Sequence, residues 1–167
     1  VRVLVEGQYR AVMSGVATEE PYIMAELTEA EITPADPQEV EVQAMMRSVL
    51  YAFDEYMELN PSIKDEVYEL ISSIEEPDIF ADTVAMQLDV KVAAKQEVLE
   101  AFDVKQRLQI VNRQILEENQ ILAMERDISE RVQEAVKQNQ KEYILREQMK
   151  VIQDELGYGE EAASEAE

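Results

Sequence analysis

The spacing of apolar positions changes near residue 34. Before it, Val1, Val3 and Val5 alternate with Arg2, Leu4 and Glu6, the period-two pattern of a strand. Glu6-Gly7 offers a turn, "QYRAVMSGV" (8–16) reads as a returning strand, and "YIMAEL" from Tyr22 as a third. Three strands in so short a stretch make a poor free-standing sheet. The pattern is weighed as the trailing part of a β-domain, against a small meander packed on helices. Pro34, Asp36 and Pro37 mark the changeover. Asp36 is placed as an N-cap, Pro37 as the first helical residue and Glu39 as the capping-box acid. The helix that follows shows a broad inward stripe: Val42, Met45, Met46, Val49, Leu50, Phe53 and Met57. Asn60-Pro61 stops it. Ser62 restarts a shorter helix with Val67, Leu70, Ile71 and Ile74 inward. Pro77 opens a third with Ile79, Phe80, Thr83, Val84 and Leu88 inward, and a fourth spans about 93–102 with Val98 and Leu99. Short links between helices of this length predict a compact bundle.

The last element differs in kind. Asp103 is a good N-cap, and neither Pro nor Gly recurs until Gly157, leaving residues 104–156 as one helix of about 80 Å. Leu108, Val111 and Ile115 fit its base. Beyond them Leu122, Ile128, Val132, Val136, Leu145, Met149, Ile152 and Leu156 form an apolar seam. Its phase slips near Glu118 and Asn139, unlike a continuous two-stranded coiled coil. The interrupted seam predicts several separate partners along a rod, and a monomer or weak dimer for this chain alone. The expected fold class is therefore α+β, predominantly α: a partial β-meander, a four-helix bundle and one very long C-terminal helix. The segments expected are 1–33, 34–102, 103–157 and an acidic tail, 158–167.

Composition narrows the function. The 167 residues contain no cysteine and no histidine, which removes disulfides, zinc clusters and Ser-His or Cys-His nucleophile pairs. Absence of cysteine fits a cytoplasmic protein. No apolar run reaches the length of a membrane span, and "VRVLV" is no secretory leader. The lack of an initial methionine suggests a piece of something longer. The net charge is -22, and residues 1–102 hold 22 Asp/Glu against 6 Lys/Arg. Such a surface repels phosphates, so neither nucleic acid nor membrane is expected as partner.

Four glycines, none near a GK[ST], make no phosphate loop. Acidic pairs such as Glu19-Glu20, Glu75-Glu76 and Glu117-Glu118 read as solvated faces or helix-start charges rather than metal ligands. Met45, Met46, Met57 and Met86 read first as core filler. The alternative is an adaptable surface for varied apolar peptides, which flexible thioethers suit. No catalytic, cofactor-binding or metal residue is assigned.

Three stretches resemble the N-terminal region of the Lon family of ATP-dependent serine proteases. "VRVLVEGQYRAVM" matches the family's strand-turn-strand at Val3, Leu4, Val5, Glu6, Gly7, Arg10 and Ala11. "EEPDIFADTVAMQLDVKVAAKQEVLEAFDVKQRL" resembles its helical subdomain, with Pro77, Ala81, Asp82, Lys95, Gln96, Asp103 and Arg107 among the matches. "EYILREQMKVIQDELG" resembles the signature ahead of the ATPase module. The similarity covers nearly all of 1–157, loosely over 15–45. It implies capture of unfolded or damaged protein and assembly of a homohexamer. ATP, Mg and the Ser-Lys dyad of the parent would lie outside this sequence. It further implies that Tyr143, Leu145, Gln148, Met149, Lys150, Ile152, Leu156 and Gly157 dock on the ATPase module or a neighbouring subunit; the mechanism expected on that basis has the long helix space capture from translocation. The reading from another class is a non-enzymatic coiled-coil scaffold or adaptor.

Overall fold

The computed structural model describes residues 2, 3, 5 and 7–164, with side chains as far as Leu156. Two strands, β1 (Ala11–Thr18) and β2 (Met24–Glu29), precede five helices: α1 (Val40–Leu59), α2 (Asp65–Ser72), α3 (Pro77–Gln87), α4 (Val92–Glu100) and α5 (Val104–Ser164). The mostly helical α+β class expected from the pattern is the one observed. The chain divides into two units, Val1–Leu122 and Ala123–Glu167.

The strand expectations shift. Residues 3 and 5 are not in a strand, while Val1, Leu4 and Glu6 lie outside the described residues. The hairpin is instead β1 with β2, antiparallel, pairing Ala11 with Glu29 and Thr18 with Met24 across two register irregularities. Its apolar side chains, Val12, Met13, Val16, Met24 and Leu27, are all exposed, so neither face is covered among the described residues. Alternation detects a strand but carries no information about which run pairs with which.

The helical core gathers Val42, Val49, Phe53 and Tyr56 of α1, Ile71 of α2, Phe80 and Val84 of α3, Val98 of α4, and Leu108, Val111 and Ile115 of α5. Each large side chain withdrawn there contributes on the order of 1.5–3 kcal/mol. Met45, Met46, Leu50 and Met57 sit at the margin of this core. Leu70, Ile79 and Leu99, expected inward, are substantially exposed. Each neighbours a residue that is buried, and one residue is about 100° of rotation on a helix, so the apolar arc exceeds the contact.

Local chemistry explains most boundaries. Asp36 does not cap α1. Its Oδ1 accepts the Gln38 N–H at 2.8 Å and its carbonyl accepts the Glu39 N–H at 3.1 Å. That Asx turn uses up the capping groups, and α1 begins only at Val40. Asn60 ends it, with Pro61 unable to continue. Pro77 opens α3 at the first helical position. Asp103 caps α5, its Oδ1 accepting the Gln106 N–H at 2.8 Å. The expected stop at Gly157 is not observed, since α5 continues to Ser164. Glycine lowers helix propensity but retains its N–H, so unlike proline it does not force an end.

Candidate functional site

Arg10 immediately precedes β1, and its guanidinium reaches α3. Nη1 and Nη2 donate to the two Asp82 carboxylate oxygens at 2.8 and 2.7 Å, while Nε donates to the Leu99 carbonyl at 3.1 Å. Arg107, on the inward stripe of α5, is 0% exposed. Its Nε and Nη2 donate to the Ala101 carbonyl at 3.0 and 2.9 Å, and Nη1 to Asp82 Oδ1 at 3.3 Å. One carboxylate thus joins two cations from opposite ends of the first unit. Burial pushes the Arg107 guanidinium below its ordinary value; Asp82 opposes that shift and Arg10 adds to it.

Beside this cluster lies a groove of about 730 Å³. Its walls include Tyr9 from the segment before β1, Ala85 and Met86 of α3, and Val98 and Leu99 of α4, with Lys95 at the side. Met86 lines this groove and is 76% exposed. A second groove, of about 420 Å³, opens where α1 meets α2 and the start of α3, and Met46 lines it. Met45 lines a third hollow between α1 and α5, and Met57 packs on the core. The four methionines therefore form no single surface. Met45, Met46 and Met57 are partly buried, and Met86 is exposed.

Lys105 and Arg113 also have structural partners. Lys105 Nζ donates to Glu39 at 2.6 Å and Glu41 at 2.8 Å, tying the base of α5 to the start of α1. The hydrogen bond from Lys105 holds the Glu41 carboxyl below the ordinary carboxylate range, while Glu39 and then Glu41 push the lysine up. Arg113 donates to Glu97 at 2.7 Å, and this bond, with Gln114, lowers the Glu97 pKa. Among the described residues, no group of three or more acids is placed to hold a metal ion, and no helix is long and apolar enough to cross a membrane.

In the second unit, α5 exposes Tyr143, Leu145, Met149, Ile152 and Leu156, along with Gln148 and Lys150. Tyr143, Gln148 and Ile152 share a shallow groove with Ile144, Glu147 and Val151. Gly157 lies within α5. Arg10 and Asp82 were not foreseen as partners, because 72 residues separate them. Arg107 carried a signal, for it falls on the stripe of Val104, Leu108 and Val111, where a charge requires a buried partner.

Open apolar grooves on a helical frame, with no metal-binding cluster among the described residues, are the surface a polypeptide-binding module would present. A family model described as the ATP-dependent protease La (LON) substrate-binding domain matches residues 1–118. The chain belongs to that family. It is 39% identical over 170 residues to Lon protease of Clostridioides difficile (strain 630), covering 100% of this chain and 22% of that protein. Lon protease 1 of Bacillus subtilis (strain 168) is 41% identical over 157 residues, covering 94% and 20%. Lon protease of Escherichia coli (strain K12) is 38% identical over 167 residues, covering 100% and 21%. The chain thus spans about a fifth of the length of these relatives.

Proposed function

We propose that this chain is the substrate-capturing part of a Lon-type protease, an ATP-dependent serine endopeptidase acting on misfolded proteins. The groove walled by Tyr9, Met86 and Leu99 carries the reading. Its apolar side chains stand open to solvent at the edge of a rigid core, and the Arg10–Asp82 fork fixes the segment before β1 that forms one wall. Exposed apolar segments of an unfolded chain would enter it weakly. In a homohexamer, repeated copies would raise the effective concentration of grooves, so weak contacts suffice. ATP and Mg would act in an ATPase module, not on this chain. On the same reading, α5 beyond Leu122 spaces capture from translocation, and residues Tyr143 to Gly157 dock on that module or a neighbouring subunit. Removing whole helical turns between 122 and 143 in the parent enzyme should slow degradation; unchanged rates would end the spacer idea.

The groove is tested by Met86→Asp and Leu99→Asp, both at exposed positions. Each should weaken binding of a carboxymethylated, permanently unfolded protein by about tenfold, with unchanged thermal unfolding, because an ionised group replaces apolar contact. Wild-type affinity in both variants would refute the assignment.

A further inference from the structure

The groove between α1, α2 and the start of α3 differs from the first in its charge. Met46, Leu50, Ile74 and Phe80 supply apolar lining, and Glu75 and Glu76 stand on it as exposed carboxylates. Arg47 lines the same groove and, among the described residues, makes no ion pair. One cation against Glu75 and Glu76 leaves the rim net negative. The wider surface reinforces it. Residues 36–80 hold twelve acids and two bases, and Lys105 of α5 is already engaged by Glu39 and Glu41.

An acidic field over an apolar hollow selects its ligand by both properties. Apolar side chains gain by leaving water, and cations beside them are drawn in by the summed potential, whereas acidic flanks are repelled. We propose that this groove takes segments in which one or two large apolar side chains are flanked by lysine or arginine. The inference rests on the capture reading above and names its substrate class. The field acts mainly on encounter, so the preference fades as salt screens it.

Two fluorescent dodecapeptides with the same Phe-Leu centre, flanked by three lysines or by three glutamates, test this by anisotropy with the full 167-residue chain. The lysine peptide should bind about tenfold more tightly at low salt, with the ratio collapsing near 0.5 M NaCl. The exposed double variant Glu75→Gln/Glu76→Gln should weaken the lysine peptide several-fold and leave the glutamate peptide unchanged or improved. Equal binding of both peptides overturns the charge preference while leaving capture standing. Binding of neither overturns capture as well. A lysine peptide indifferent to the double variant shows that another surface holds it and refutes this groove. Self-association of the chain that the double variant abolishes would assign the groove to a second copy, and also refutes the proposal.

Discussion

Replacing Asp82 with alanine leaves Arg107 inside the first unit with a lone carbonyl as its partner. It also leaves Arg10 with only the Leu99 carbonyl, and two cations near one another without the carboxylate between them. Removing one partner of a fully buried ion pair costs about 3–5 kcal/mol. Asp82 is 36% exposed, so water screens part of the interaction and about 2–3 kcal/mol is expected. For a cooperative unit of this size that is a fall in Tm of about 10 °C. Arg10→Ala should cost less, about 1 kcal/mol, because Asp82 keeps Arg107 and the lost cation is nearer the surface. The double variant should then cost measurably less than the sum of the two. Urea unfolding followed by near-UV circular dichroism suits the assay, since the chain has no tryptophan and Phe53 and Tyr56 report from the core. Asp82→Ala within about 0.5 kcal/mol of wild type would refute the claim that this carboxylate joins the two arginines.

Two further outcomes concern the helix ends and acid stability. Glu41 and Glu97 have lowered pKa values in the folded chain, from Lys105 and from Arg113 with Gln114 respectively. Their contribution is present above the ordinary carboxylate pKa and is lost as pH falls through the depressed folded values. Glu41→Gln/Glu97→Gln should therefore flatten the acid limb of stability against pH in urea titrations, with little change in its shape near neutrality. The opposite holds for Lys105, whose raised pKa keeps its contribution until strongly alkaline solution. Asp103→Ala removes the acceptor for the Gln106 N–H and should cost about 1 kcal/mol, with Asp103→Asn largely restoring it.

Periodicity and punctuation located the helices because each reports a local cause. Pro61 and Pro77 act on the backbone where they stand, and Phe53, Val84 and Leu108 reveal an inward face by spacing alone. The misses share another cause. Asp36 could cap a helix or make an Asx turn, and only the surrounding chain decides which. Leu70, Ile79 and Leu99 are apolar without being covered, because a stripe records hydrophobicity and not the width of the contact. Asp82 between Arg10 and Arg107 is a tertiary meeting of three separated segments, which no window along the chain can contain. The Lon-like stretches pointed to the family through residue identities, several of which the fold explains as members of that cluster. The grooves required the folded surface, since Tyr9, Met86 and Leu99 come from the segment before β1 and two helices.

One quiet feature ties the far end of the hairpin to the helices. Thr33 donates its N–H to the Phe102 carbonyl at 3.0 Å and accepts from Val104 N–H at 3.1 Å, a short parallel bridge at the join of α4 and α5. With Arg10 moored at Asp82, the stretch between them is fastened at both ends. It lies like a strap buckled at two points, so the hairpin is held by tertiary contacts at both of its ends and not at one. Losing either buckle would leave the strap attached at one end only.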